Sequence, residues 1–307
     1  MCRVLAYLGQ PVSLEGILYE TDSALVRQSY SPRMMDAFLN LAGFGMAAWD
    51  DRSIAQEEPF TYHVTTLPSY DRNLRSMCRK LAPTCVLAHI RGVPGVAGDI
   101  LSEPNLHPFR FPGAGLVMAH NGHLRNFDAM RYDLLAHLPH EVSRHIAGTT
   151  DSEWIYALLL AQLGDHAADP DADDLLEATN GVLQILRDAR ARHGIRTSSP
   201  INLFMATGRC VVATRFVMDY GWYPDDDPML ECDLPYVSLW YTAGRSYVDY
   251  HDGWQMLASE GRPQSLIIAS EPLTADTSTW LEVPEYSLLC VERRADGLSL
   301  QTVDLDA

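Results

Sequence analysis

Basic residues are scarce in this chain: 23 Lys and Arg stand against 40 Asp and Glu, a formal net charge of -17 at pH 7. Recognition of a phosphate backbone needs a basic stripe that no segment supplies, so a general nucleic-acid surface is excluded. The six cysteines, at positions 2, 78, 85, 210, 232 and 290, form no Cys-x-x-Cys pair, and nothing resembles a clustered zinc knuckle. No segment reaches about 18 uninterrupted apolar residues, and the amino terminus lacks a basic leader, so neither a membrane span nor a secretory signal is expected. An internal repeat of fixed period is missing too. The expectation is a soluble cytoplasmic protein with reduced thiols and no metal or cofactor.

What is present is enough chain for a large core, 307 residues with 47% hydrophobic content, which suits one extended α/β domain or a domain with an elaborated second half. Cys2 follows Met1 directly. Removal of that methionine would leave a thiol and a free α-amine on one residue, a nucleophile beside a base whose unperturbed pKa is about 7.7–8.0.

Polar residues follow three later apolar runs in an order that suits a glutamine-like amide. Leu87-Ala88-His89-Ile90-Arg91 ends on a cation, Val117-Met118-Ala119-His120-Asn121-Gly122 ends on an amide side chain and a glycine N–H, and Gly148-Thr149-Thr150-Asp151-Ser152-Glu153 opens an apolar helix with a carboxylate. Arg91 offers a planar fork to an α-carboxylate, and Asp151 a counter-charge to an α-ammonium. Asn121 and Gly122 offer donors to the oxyanion that develops when a thiolate attacks an amide carbonyl. Each has a plainer reading: Asn-Gly is a turn pair, Asp151 a helix cap, Arg91 a surface cation. His107, in Asn105-Leu106-His107-Pro108-Phe109, is a candidate substrate contact or simply a loop residue that makes hydrogen bonds. His89 and His120 admit a Cys–His pairing, and with His107 a metal trio, but the terminal amine is already a suitable base and no fourth ligand stands nearby.

Strand character is expected for Val4 to Leu8, Gly43 to Trp49, Thr84 to Ile90, Gly115 to Ala119, Asn202 to Ala206, Cys210 to Ala213, Tyr236 to Tyr241, Ser265 to Ala269 and Ser287 to Val291. Helices are expected from Ser31-Pro32 through Phe38, between Pro68 and Pro83, from Asp151 onward and from Asp174 to about His193. Residues 222–235 and 243–262 read as irregular insertions, and 293–307 as a C-terminal tail after a domain spanning 2–292.

The words Met1-Cys2-Arg3, Ala88-His89-Ile90-Arg91, Asn105-Leu106-His107-Pro108-Phe109, His120-Asn121-Gly122, Thr150-Asp151-Ser152-Glu153 and Ala269-Ser270-Glu271-Pro272-Leu273, with Trp280 beyond, resemble the class II glutamine amidotransferase domain of the N-terminal nucleophile hydrolases. They are most similar to its compact stand-alone branch, which includes the ergothioneine-pathway γ-glutamyl hydrolase. The resemblance implies an α+β, four-layer αββα fold with two packed, mainly antiparallel sheets. It implies Cys2 as nucleophile, Asn121 and Gly122 as oxyanion donors, and Arg91 and Asp151 as holders of the glutamyl backbone. Leu41-Ala42-Gly43-Phe44-Gly45 departs from the Asp-Gly-Trp-Gly common in relatives, and Gly92-Val93-Pro94-Gly95 departs from a threonine-histidine loop. The activity implied is hydrolysis of a γ-glutamyl amide. Its alternatives are a glutaminase subunit feeding ammonia to a separate enzyme, and a non-catalytic binding or assembly subunit.

Overall fold

The computed structural model describes residues 2–34, 40–92, 101–219, 238–250 and 253–305. Its strands run Arg3–Gly9 (β1), Phe44–Trp49 (β2), Phe60–Val64 (β3), Cys85–Ile90 (β4), Val117–Gly122 (β5), Ser199–Ala206 (β6), Cys210–Arg215 (β7) and Val217–Met218 (β8). Beyond these come Trp240–Gly244 (β9), Ser246–Tyr250 (β10), Gly253–Leu257 (β11), Ser265–Ala269 (β12), Leu281–Glu282 (β13), Ser287–Arg294 (β14) and Gly297–Asp304 (β15).

Two antiparallel sheets carry the fold. One has the order β13-β9-β12-β1-β4-β2-β3; the other runs β15-β14-β7-β6-β5, with β8 pairing β6. β1 lies inside the first sheet, Leu5 opposite Ala269 of β12 on one side and Ala88 of β4 on the other. The chain therefore pairs with β4 one residue after Cys2 and with β12 from Leu5, which holds Cys2 beside a ladder instead of on a frayed end.

Side chains alternate across a strand, and β1 buries both sets. Val4, Ala6 and Leu8 face the second sheet, packing with Leu87, Val117, Ala119, Phe204 and Val211. Leu5 and Tyr7 face outward, onto Ile17, Leu18, Met46 and Ile267. A strand covered on both faces reads as the unbroken apolar run seen at Val4 to Leu8.

The helices are Arg72–Cys78 (α1), Phe127–Leu134 (α2), His140–Ser143 (α3), Asp151–Leu163 (α4) and Ala172–Arg192 (α5). α4 and α5 cover the outer face of the second sheet, with Ile155, Leu158, Leu159, Leu175, Val182 and Leu186 in one core with Met118, Met205 and Val212. α5 opens on a capping box between Asp171 and Asp174, so its start is set one turn before its apolar stripe begins to repeat. The opposite outer layer is thinner: α1, the segment around Ile17 to Val26 and the β10–β11 hairpin cover the first sheet through Leu74, Cys78, Tyr247 and Met256. The order of layers is the expected helix, sheet, sheet, helix.

Three expectations change. Residues 243–262 are not an irregular insertion: they hold the end of β9 and the β10–β11 hairpin. The expected tail at 293–307 is not a tail over its described residues, 293–305, because β15 pairs with β14 along its whole length, from Arg294 opposite Gly297 to Ser287 opposite Asp304. Asp296-Gly297 is the turn signal that predicts this hairpin, and Gly297 has φ of 135°, where only glycine is comfortable. The helix expected between Pro68 and Pro83 is limited to α1, because the Asp71 carboxylate accepts the N–H groups of Asn73 and Leu74 and starts it there. The expected helix through Met35 and Phe38 and the segment 222–235 lie outside the described residues. No helix among the described residues is long and apolar enough to cross a membrane.

Candidate active site

Cys2 stands where β1 begins, half-buried, beside the end of β4. Its sulfur receives the Gly92 N–H at 3.5 Å and faces the Gly92 carbonyl at 3.8 Å. The other described cysteines differ in kind: burial pushes the Cys78, Cys85 and Cys290 thiols up to about 12 and Cys210 up to about 11. Those four are packing residues, inert at neutral pH.

The neighbouring Arg91 is 8% exposed, and its main chain is fixed by two bonds, its N–H to the Gly43 carbonyl and its carbonyl from the Ala42 N–H. Its guanidinium Nη1 donates to the main-chain carbonyl of Asn105. Asn105 then reaches the segment that leads into α4: its Nδ2 donates to Thr149 Oγ1 at 3.1 Å, and its Oδ1 accepts the Thr149 N–H at 2.8 Å. Thr150 follows as the N-cap of α4, its hydroxyl accepting the Glu153 N–H, and Asp151 is the first helical residue. One buried asparagine thus links Arg91 to the residue two positions before Asp151.

Asp151 opens the helix but does not cap it. Its Oδ2 accepts the Leu124 N–H at 2.6 Å, and its Oδ1 accepts the Ser152 N–H at 2.7 Å and the Ser152 hydroxyl at 3.1 Å. His123 Nδ1 lies 3.5 Å from Oδ2. Burial works to raise this carboxyl, but His123, His120 and the Leu124 N–H outweigh it and hold it well below the usual carboxylate range. The side chain is an anion fixed in direction, which a ligand ammonium needs.

Asn121 and Gly122 end β5, three residues beyond the expected strand end at Ala119. Val117 and Ala119 face the space between the sheets, so Asn121 shares their side and His120 the opposite one. The Asn121 amide is 2% exposed and bonds the Ser270 hydroxyl, Nδ2 to Oγ, at 3.2 Å. Ser270 Oγ also accepts the Val4 N–H at 3.0 Å, two residues from Cys2. A Cβ at Gly122 would sit 2.0 Å from the Pro200 carbonyl oxygen and 2.3 Å from His120 Nε2, so close backbone approach requires glycine.

The histidines take other places. His120 lies on the helix side of β5, with Nδ1 2.9 Å from Ser152 Oγ and Nε2 3.3 Å from the Pro200 carbonyl, away from the sulfur. His107, expected as a substrate contact, is 4% exposed and packs between rings, 4.2 Å from His89 and 4.6 Å from Phe109 by centroids. Burial first, then the neighbouring charges, holds His89 and His107 well below the ordinary imidazole range, so both are neutral in a working pH range. Of the six residues singled out from sequence, the structure ties Cys2, Arg91, Asn121, Gly122 and Asp151 into one region and leaves His107 as packing behind it. The residues that sequence reasoning did not assign are the ties themselves, Ser270 and Asn105, although both stand in the quoted motifs.

A family model described as glutamine amidotransferases class-II matches residues 18–303, and the chain belongs to that family. A Saccharomyces cerevisiae protein described as "probable glutamine amidotransferase DUG3" is 29% identical over 311 residues, covering 96% of this chain and 82% of that one. The γ-glutamyl-hercynylcysteine sulfoxide hydrolase of Mycolicibacterium smegmatis is 32% identical over 93 residues, 30% of this chain and 39% of its own. Among solved structures, a glutamine aminotransferase class-II domain protein from Silicibacter pomeroyi is similar over 100% of both chains, with TM-score 0.56 and 20% identity. The glutamine phosphoribosylpyrophosphate amidotransferase from B. subtilis is similar over 98% of this chain and 49% of that one, with TM-score 0.54 and 15% identity. The fold is the α+β fold of the N-terminal nucleophile hydrolases.

Proposed function

We propose that this chain is an N-terminal cysteine amidohydrolase that cleaves the γ-glutamyl amide bond of glutamine or of a γ-glutamyl conjugate. The observation that carries the reading is the placing of Cys2: a half-buried sulfur at the head of a two-sided strand, with Arg91 beside it and Asn121 tied through Ser270 to Val4. With Met1 removed, the Cys2 amine takes the thiol proton and the thiolate attacks the γ-carboxamide carbon. Asn121 and the Gly122 N–H stabilise the oxyanion, each donor contributing about 2.7–4 kcal/mol. The amine's proton passes to the leaving nitrogen as the C–N bond breaks, and a glutamyl thioester remains. Water, deprotonated by the same amine, then breaks the C–S bond, releases glutamate and restores the thiol.

Arg91 and Asp151 grip the α-carboxylate and α-ammonium, which places the γ-carbon at a fixed reach from the sulfur. The hydrolase named among the relatives supports a stand-alone role acting on a conjugate. A panel of glutamine, γ-glutamyl amines and γ-glutamyl sulfur compounds tests the proposal by glutamate release. Turnover of a conjugate without any added protein is expected. Glutamine turnover that appears only with an acceptor enzyme would transfer the chain to ammonia supply, and release from none of them would overturn the proposal.

A further inference from the structure

Ser270 follows β12 and is 1% exposed. Its main chain is fully used: the N–H donates to the Val4 carbonyl at 3.0 Å, and the carbonyl accepts the Ser238 hydroxyl at 2.8 Å. Only the hydroxyl is left to act. It lies between the Val4 N–H, at 3.0 Å, and the Asn121 amide, at 3.2 Å.

With Nδ2 toward Ser270, the hydroxyl oxygen receives two N–H groups, and among the described residues no acceptor takes its proton and the buried Asn121 Oδ1 has no partner. An amide side chain keeps its shape when its oxygen and nitrogen exchange by a half-turn. After that turn, the Val4 N–H still donates to Ser270 Oγ, and the Ser270 O–H donates to Asn121 Oδ1. The Ser270 proton and Asn121 Oδ1 then satisfy each other, and the end left without a partner is Nδ2, a donor that an incoming acceptor oxygen satisfies.

The same orientation is the one an oxyanion demands. Asn121 has one end on Ser270 and the other on the partnerless side; a developing negative oxygen there is repelled by Oδ1 and bound by Nδ2. We infer that Ser270 is a positioning residue for the reaction: its hydroxyl proton selects the Asn121 orientation that turns Nδ2 toward the reacting carbonyl. Its oxygen holds that amide in register with the strand carrying Cys2. This assignment rests on the amidohydrolase reading above.

The experiment compares Ser270→Ala, Ser270→Thr and Ser270→Cys with wild type, alone and with Asn121→Ala, by steady-state kinetics on the best γ-glutamyl substrate and by thermal melting. Ser270→Ala is expected to lower kcat by about 10- to 100-fold, short of the full loss of the donor, with KM within about threefold because Arg91 and Asp151 are untouched. Ser270→Thr, which keeps the hydroxyl, restores most of the rate. In the Asn121→Ala background, Ser270→Ala adds nothing further, because the amide it orients is gone. If the alanine variant fails to fold, Ser270→Cys, a weaker donor of similar size, must show the same selective loss of kcat. A Ser270→Ala or Ser270→Cys enzyme with unchanged kcat, or losses that multiply fully with Asn121→Ala, would overturn the role of Ser270 while wild-type turnover upholds the amidohydrolase. A wild-type protein that turns over no γ-glutamyl compound overturns both.

Discussion

Replacing Asp151 with asparagine removes one charge and changes almost no volume, and the consequence can be followed atom by atom. Each carboxylate oxygen accepts a main-chain N–H, Leu124 at 2.6 Å and Ser152 at 2.7 Å. The asparagine NH2 must therefore face one of these N–H groups, donor against donor, leaving a buried donor unmet at about 1–3 kcal/mol. For a chain of this size that corresponds to a melting loss of about 2–5 °C. The catalytic effect is separate. A hydrogen bond to a charged group contributes about 1.5–3 kcal/mol, so losing the pairing with a substrate ammonium lowers kcat/KM by about 10- to 150-fold. Glutamine and Nα-acetylglutamine distinguish the two effects in an assay of glutamyl release. Wild type is expected to prefer the free amine by that factor, and Asp151→Asn to lose the preference by slowing glutamine alone. If the variant slows both substrates equally, Asp151 serves the helix and not the ligand, and the assignment is refuted.

Four other outcomes follow from the same geometry. kcat/KM rises with pH through about 7 to 8.5 as the terminal amine deprotonates, because only the neutral amine accepts the thiol proton; a pH-independent rate contradicts that base. Asp151, held below the usual carboxylate range, stays anionic to lower pH than an ordinary aspartate, so its protonation adds no loss near neutrality. Gly122→Ala places a methyl 2.0 Å from the Pro200 carbonyl oxygen, which is backbone, and is expected to cost about 1–3 kcal/mol in chemical denaturation besides displacing the proposed oxyanion donor. Brief alkylation of the folded protein at pH 8, mapped by peptide mass, labels Cys2 and leaves Cys78, Cys85, Cys210 and Cys290 unmodified, since burial keeps their thiols protonated.

The strands that position the site were legible because they are covered on both faces and read as mostly apolar runs, as β1, β4 and β12 do. Arg91 and Asn121 stood out because each follows an apolar run, and Asp151 because it opens an apolar helix. β10 and β11 were not legible as strands: Ser246–Tyr250 and Gly253–Leu257 are mostly half-exposed and mix aromatics with polar residues, so period and burial give little signal. His120 and Asn121 show the limit of reading neighbours together. They are adjacent in sequence but alternate across β5, one toward α4 and one toward the other sheet. Ser270 and Asn105 act through partners far along the chain, Ser270 on Val4 and Asn121, Asn105 on Arg91 and Thr149, and no local pattern announces such contacts.

The most direct test is the mass of the protein before and after exposure to an electrophilic glutamine analogue, with the modified peptide sequenced. The account predicts an active protein whose first residue is Cys2, one adduct per chain on the Cys2 sulfur, and loss of γ-glutamyl hydrolysis in proportion to labelling. An active protein that retains Met1, or an adduct elsewhere with Cys2 unmodified, would contradict it.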